Sequence, residues 1–272
     1  MSHALRNELR PALNNETLFK NSYNWQDWYK FTLQGAKALA DSNPDALIYL
    51  SGLDGGTNLA LVTAGTALTP GTQLFNRADF GAAGRDKLVL ELHKYNFFDQ
   101  PFNCTAARAE MLTAGFNALD NATTPAERQF PVVMSEWGFE QNSVAWKGDY
   151  AVCLRSFLPE RGAGWMIWEL GGSYYLREGK QDHDESWGLL DHEWKDWRSK
   201  EHIDGGLVPM IKATMEWASR STTGGGGGTA SGGGGGGGGE KPNGQAGRPG
   251  TPSAVVLLGS ILALGGVAFL WI

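Results

Sequence analysis

The sequence has little cysteine and little positive charge, and both shortages narrow the range of functions. Only two of its 272 residues are cysteines, Cys104 and Cys153, which are too few and too far apart for a zinc site without other ligands. Acidic residues outnumber basic ones by 29 to 23, giving a formal net charge of −6. No cluster of Lys and Arg offsets this balance. The composition therefore disfavours nucleic acid as a partner and favours an uncharged ligand.

The first ten residues lack the charged and then apolar pattern of a secretory signal peptide. Other features favour secretion. Acceptor sequences for N-glycosylation occur at Asn15, Asn103 and Asn121, all in segments predicted as loops or helix edges. The two cysteines are predicted to form one disulfide in an oxidising compartment. We therefore expect the natural N-terminus to lie upstream of Met1.

Short apolar runs alternate with amphipathic helical segments along residues 1–220. Strands are predicted at His3–Leu9, Ala46–Ser51, Lys87–His93, Pro131–Glu136 and Gly164–Glu169, and helices at Trp25–Ala40, near Asn58–Val62, at Thr105–Leu119, at about Gly148–Phe157 and at Leu207–Trp217. Alternation of this kind builds a parallel sheet, whose closed form is the barrel of eight β/α units. Five units are present. The predicted fold is α/β, an incomplete (β/α)8 TIM barrel with an open sheet, apolar side chains along the gap, and the first and last strands at its edges.

Glycine dominates the segment after this domain. Residues 224–250 contain runs of five and eight glycines, so residues 221–253 are predicted to be a flexible linker. Residues 254–272 are uncharged and mostly apolar. This tail matches a glycosylphosphatidylinositol (GPI) attachment signal with Asn243 or Gly244 as the attachment residue; a tail-anchored transmembrane helix is the alternative. We expect an extracellular monomer held at the membrane or in the cell wall by this tail.

Two glutamates are predicted to lie at the ends of strands, where β/α barrels carry their active sites. Glu8 follows Asn7 at the end of the first apolar run, and Glu136 ends the fourth. A lone Asn-Glu pair is also typical of an ordinary surface loop. Two such carboxylates are what hydrolysis of a glycosidic bond needs, one to protonate the departing oxygen and one to attack the anomeric carbon.

Three aromatic residues accompany these carboxylates. His93 ends the third predicted strand, and Tyr95 lies two residues further on, so both side chains are expected on one side of the strand. Trp168, close to the end of the fifth predicted strand, could stack on a sugar ring. Trp165 is expected to face the core instead.

These positions, with the segments GGSYYLR (residues 171–177) and SWGLLD (residues 186–191), resemble the second half of glycoside hydrolase family 5. The resemblance is to the cellulase-type, retaining β/α-barrel enzymes, and especially to secreted fungal and plant members. It covers the chain from about residue 3 to residue 217.

The resemblance implies a role for each candidate. Glu8 would be the acid and base after the fourth barrel strand, and Glu136 the nucleophile after the seventh. The Tyr95 hydroxyl would bond the nucleophile, and Asn7, His93 and Trp168 would contact the sugar. Retention of anomeric configuration and a carboxyl separation of about 5–5.5 Å are then expected, with no metal and no cofactor.

Three functions are compatible with these residues. The first is an endo-acting, retaining glycosidase that hydrolyses a β-linked polysaccharide such as β-glucan, cellulose or mannan. The second is a catalytically inactive carbohydrate-binding or wall protein, because the first three strands of the barrel, which would carry the family's other polar residues, are missing from the predicted units. The third is a glycolipid glycosidase, which fits a membrane anchor and the same two glutamates.

Overall fold

The computed structural model describes residues 2–97 and 101–223. Five parallel strands form one sheet in the order β1-β2-β3-β4-β5. They are β1 Ser2–Ala4, β2 Leu47–Ser51, β3 Leu88–His93, β4 Val132–Glu136 and β5 Gly164–Trp165. β1 and β5 are the edges, and within the described residues no strand pairs with the outer side of either. The predicted open half-barrel of α/β class is confirmed.

Helices follow the strands and cover the outer face of the sheet. They are α1 Glu16–Ser22, α2 Trp25–Ser42, α3 Leu53–Gly56, α4 Ala60–Ala64, α5 Gly81–Gly84, α6 Cys104–Ala114, α7 Asp149–Arg161, α8 Lys200–His202 and α9 Val208–Thr223, with a π turn at Ile203–Leu207 and 3-10 turns at Arg77–Phe80, Phe116–Leu119, Ala126–Arg128 and Ala145–Lys147. The longest, α2, begins after Asn24, whose side chain accepts a hydrogen bond from the Asp27 amide. It ends before Pro44, as helices do.

The core has two layers, one on each face of the sheet. The outer layer lies between the sheet and the helices. It includes Trp137, Trp165 and Phe157, and no more than 2% of each of these residues is exposed. The inner layer is smaller, with Tyr49 and Val89 packed beside three further residues, Leu47, Val133 and Met166. A barrel interior is filled by layers of such inward-facing side chains. The buried position of Trp165 agrees with its expected core role.

Two predicted strands are too long. The predicted strand His3–Leu9 ends at Ala4, because the chain leaves the sheet and Glu8 has a φ of 38°, which a strand does not allow. The predicted strand Gly164–Glu169 ends at Trp165, where regular pairing with β4 stops at Met134. Glu8 and Trp168 therefore lie on loops beyond the strand ends.

Other boundaries also differ from the predictions. The predicted helix Thr105–Leu119 is interrupted at Gly115, whose amide caps α6 by donating to Met111 and Leu112. Helix α1 and an antiparallel hairpin were not predicted. The hairpin consists of β6 Ser173–Arg177 and β7 Lys180–Asp184. Strand β7 reads KQDHD, and so it lacks the apolar alternation that predicts a strand.

Cys104 and Cys153 form a disulfide that joins the start of α6 to the middle of α7. The cross-link spans 49 residues of sequence. It joins two outer helices that also contact each other through Arg108 of α6, which pairs with Glu160 and donates to the Ser156 hydroxyl of α7.

The open edge at β1 borders a cavity of 330 Å³ between the following loop and α2. Its lining includes Leu5, Leu9 and Trp28, together with Phe31, which is 57% exposed. Phe31 is the exposed apolar side chain at this cavity, and the expectation that apolar side chains line the open gap stays a prediction.

The described residues cover only the first part of the predicted C-terminal segments. Helix α9 runs to Thr223, three residues into the predicted linker, while the rest of the linker and the tail 254–272 lie outside the described residues. Within residues 2–97 and 101–223, no helix has both the length and the apolar character needed to cross a membrane.

Candidate active site

The site forms where β3 and β4 end side by side. A register shift between Leu92 and His93 places His93 opposite Glu136 instead of Ser135. Parallel strands end at one edge of a sheet, so both side chains reach the mouth of the half-barrel. Glu136 is 9% exposed and His93 only 2%.

Glu8 reaches the same place from the loop after β1. That loop is held by Leu9, whose carbonyl accepts hydrogen bonds from the Tyr23 hydroxyl and the Gly55 amide, both at 3.0 Å. Glu8 itself has left-handed backbone geometry, which is uncommon for a residue with a side chain. The loop therefore turns the Glu8 carboxylate inward, and Asn7 beside it is exposed.

His93 links the two predicted catalytic carboxylates. Its Nδ1 lies 3.1 Å from Glu8 Oε1 and 3.5 Å from Glu136 Oε2. The Tyr95 hydroxyl donates to Glu136 Oε2 at 3.0 Å. One side-chain oxygen or nitrogen from each of Glu8, His93 and Glu136 lies within 4.8 Å of the others. In retaining glycosidases the two catalytic carboxyl groups are about 5–5.5 Å apart, and in inverting ones about 6.5–9.5 Å. The spacing here is close to the first range and well below the second.

A third carboxylate, Glu91, lies behind His93 and was missed in the sequence. Its Oε1 is 3.5 Å from His93 Nε2 and accepts a hydrogen bond from the Ser135 hydroxyl at 2.7 Å. Glu91 and His93 are two residues apart on β3, so they share a face of the strand. A charged residue within an apolar run was the available signal. Glu91 orients the imidazole from the side opposite Glu8.

The surroundings shift the pKa values of all three central groups. Burial would lower the pKa of His93, but contacts with Glu91, Glu136 and Glu8 outweigh it and raise that pKa. Burial raises the pKa of Glu136, although His93 and the Tyr95 hydroxyl oppose the rise. For Glu8, the effect of burial is outweighed by hydrogen bonds from Arg10 and His93, so its pKa is lowered.

Arg10 contributes most to lowering the pKa of Glu8, whereas the predicted role of Glu8 as an acid needs a proton. The Arg10 guanidinium donates from Nη2 to Glu8 Oε2 at 2.5 Å, and its side chain is 68% exposed. An ion pair so close to solvent is weak and easily displaced. A sugar that displaces Arg10 would remove one of the contacts that keep Glu8 ionised.

Replacing Arg10 by Gln is expected to raise the pKa of Glu8, because the positive charge is removed and at most a weaker, neutral hydrogen bond to the ionised form is left. The measurement is a titration of the glutamate side-chain carboxyl carbons by NMR. Arg85→Gln is the matched control, since Arg85 pairs with Asp86 at an exposed position. An unchanged or lower pKa of Glu8 in Arg10→Gln would contradict this explanation.

Trp168 lies beside the end of β4. Its amide donates to the Trp137 carbonyl at 2.7 Å, and a Cβ at Gly138 would lie 2.0 Å from the Trp168 carbonyl oxygen. Glycine at position 138 is therefore required by this close approach. Trp168 is half-buried, and its peptide bond to Glu169 is cis.

Glu8, His93 and Glu136 are also the side chains within the described ranges that are grouped closely enough to hold one metal ion. Arg10 and the Tyr95 hydroxyl already bond the two carboxylates. The arrangement fits a pair of catalytic carboxylates with a bridging imidazole, and the expectation of a reaction without metal or cofactor stays a prediction.

Comparison with known proteins identifies the family. The model of the cellulase family, glycosyl hydrolase family 5, matches residues 7–173, which is more than half of the chain. The chain therefore belongs to glycosyl hydrolase family 5, as its resemblance predicted.

Individual relatives are longer than this chain. A glycosyl hydrolase 5 family protein of Chamaecyparis obtusa is 29% identical over 212 residues, covering 74% of this chain and 33% of the relative. The β-glucanase SdGluc5_26A of Saccharophagus degradans, solved with cellotetraose, matches with a TM-score of 0.51 and 14% identity, over 78% of this chain and 54% of that one. A hyperthermostable endocellulase matches with a TM-score of 0.50 and 16% identity, over 76% and 56%. The chain thus spans a third to about half of these proteins, and the two structures agree with its fold.

Proposed function

We propose that this site hydrolyses β-glycosidic bonds with retention of anomeric configuration. The observation that carries the proposal is the pair of carboxylates, Glu8 and Glu136, with oxygens within 4.8 Å of each other and His93 between them. That distance leaves no room for a water molecule between carboxylate and sugar, so one carboxylate must attack the sugar itself.

Glu136 is the nucleophile in this proposal. One of its oxygens is held by the Tyr95 hydroxyl, and the other attacks the anomeric carbon. As that bond forms, the bond to the leaving oxygen breaks and Glu8 gives this oxygen a proton. Water then attacks the glycosyl-Glu136 ester, passes a proton to Glu8, and restores the free carboxylate.

The proposed substrate is a β-linked glucan, with mannan as the closest alternative. Family membership supports a polysaccharide, and the β-glucanase with a similar fold was solved with cellotetraose. An uncharged polysaccharide also suits a protein with a net charge of −6.

The test is the anomer formed first. Proton NMR of a β-glucan oligosaccharide digested by the chain should show the β-anomer before mutarotation. The α-anomer first would contradict retention. Binding of cellotetraose without any release of sugar would instead favour the carbohydrate-binding protein, an alternative supported by the open edges at β1 and β5.

We also propose an extracellular location, with the chain a monomer held by its C-terminal tail. Asn15, Asn103 and Asn121 are all exposed, so an attached glycan would not meet the core. Asn15 and Asn103 also cap α1 and α6, which gives those two residues a structural role as well. Release of the protein from cells by a phospholipase that cuts GPI anchors would support the GPI anchor over the transmembrane helix.

A further inference from the structure

Tyr95, Phe97 and Trp187 form an aromatic surface beside the proposed nucleophile, Glu136. Tyr95, whose hydroxyl bonds Glu136, stacks on Phe97 with ring centroids 5.1 Å apart. Trp187 meets Tyr95 edge-on at 5.8 Å and lies 6.3 Å from Phe97. Phe97 is 53% exposed and Trp187 is half-buried. Part of this surface is therefore open to a ligand that reaches Glu136.

Hydrogen bonds on both sides fix the backbone at Trp187. Its amide donates to Glu185 Oε1 at 3.0 Å, and its carbonyl accepts from the Glu169 amide at 3.3 Å. The Gly188 amide closes the turn by donating to the Glu185 carbonyl at 2.8 Å. These bonds fix the backbone at Trp187, and the ring contacts with Tyr95 and Phe97 restrict the orientation of the indole.

The β6–β7 hairpin fixes the residues that hold Trp187. Arg177 at the end of β6 pairs with the carboxylate of Glu185, which is 4% exposed. The Tyr174 hydroxyl, also on β6, donates to Glu169 Oε1 at 2.5 Å. Two buried carboxylates outside the catalytic pair therefore connect the hairpin to the turn that carries the indole.

We propose that Trp187 is a specificity-determining residue, an inference that rests on the proposed function. Its ring stacks on the sugar next to the one that Glu136 attacks. The C–H face of a β-linked pyranose packs well on an indole face. An anchor already fixed before the ligand arrives loses little freedom on binding. The hairpin acts as the positioning element, and the ligand is a β-linked glucan of more than one sugar.

Two measurements on the full chain distinguish a role of Trp187 in sugar binding from a role in catalysis. The first is the affinity for cellotetraose by calorimetry, measured in a Glu136→Gln background so that the ligand is not consumed. The second is the rate at which an activated 2-deoxy-2-fluoro-β-glucoside, which has one sugar, labels Glu136 in the otherwise unchanged protein. Trp187→Ala should weaken cellotetraose binding about tenfold and leave the labelling rate unchanged.

Matched variants keep the test decisive. Trp197→Ala removes another partly exposed indole, 45% exposed, from the same part of the chain and should leave both readings unchanged. If Trp187→Ala does not fold, Trp187→Phe should bind cellotetraose more tightly than Trp187→Leu, because only Phe keeps an aromatic face.

The outcomes distinguish the two proposals. Unchanged cellotetraose affinity in Trp187→Ala, or equal affinity of the Phe and Leu variants, would overturn the role of Trp187. An equal loss of labelling rate would also overturn it, since Trp187 would then act only through Tyr95 and the nucleophile. Failure of the parent chain to label at Glu136 would instead contradict the proposed function.

Discussion

Glu136→Gln should lower the rate of glycoside hydrolysis by several orders of magnitude while leaving the fold intact. Glutamine has nearly the size and shape of glutamate but does not form the glycosyl ester, so the covalent route is lost. The amide can still accept the hydrogen bond from Tyr95. The loss should therefore appear in kcat, with the melting temperature close to that of the parent.

A neighbouring glutamate supplies the control. Glu140 is four residues further on and exposed, and Glu140→Gln should have parent activity. Azide distinguishes the roles of the two carboxylates: it should restore Glu136→Gly with an activated β-glucoside and give the α-azide, whereas Glu8→Gly should give the β-azide. Activity of Glu136→Gln within about tenfold of the parent would assign the nucleophile to another residue.

Removing the disulfide should cost about 4 kcal/mol of folding free energy on the chain-entropy model. The bridge closes a loop of 49 residues between α6 and α7, and the unfolded chain gains freedom without it. Alanine is the suitable replacement for both cysteines, because Cys153 is 2% exposed and a buried serine hydroxyl would need a partner. Denaturant unfolding of the Cys104→Ala/Cys153→Ala variant measures the change.

Reduction of the parent by dithiothreitol should reproduce most of this loss. Val152→Ala, at a 47% exposed position beside the bridge, should change the free energy of unfolding by less than about 0.5 kcal/mol. A double variant within about 1 kcal/mol of the parent would show that contacts between α6 and α7 hold these helices without the cross-link.

Prediction from the sequence succeeded where local periodicity decides structure. Strands β2 to β4 and helix α2 have strong apolar patterns, and their bounds agree with the structure to within one or two residues. Glu136 could be placed because it ends an apolar run directly. The open sheet was also predictable, since five β/α units do not close a barrel of eight.

Prediction was weaker where contacts join residues far apart in sequence. Glu8 contacts His93 across 85 positions, and it does so from a loop with left-handed geometry that no apolar pattern indicates. Arg10 is two residues from Glu8, yet only the turn of the loop brings its guanidinium onto the carboxylate. The β6–β7 hairpin is too polar to be recognised as strands, and so the position of Trp187 beside Tyr95 was not predictable.

The most direct test of the proposed mechanism is to trap its covalent intermediate. The chain is incubated with an activated 2-deoxy-2-fluoro-β-cellobioside, which forms the glycosyl ester quickly and hydrolyses it slowly, and the labelled peptide is then identified by mass spectrometry. The proposed mechanism predicts one fluoro-cellobiosyl group per chain, attached to Glu136, and no label in Glu136→Gln. A label on Glu8 or Glu91, or no label while sugar is still released, would contradict it.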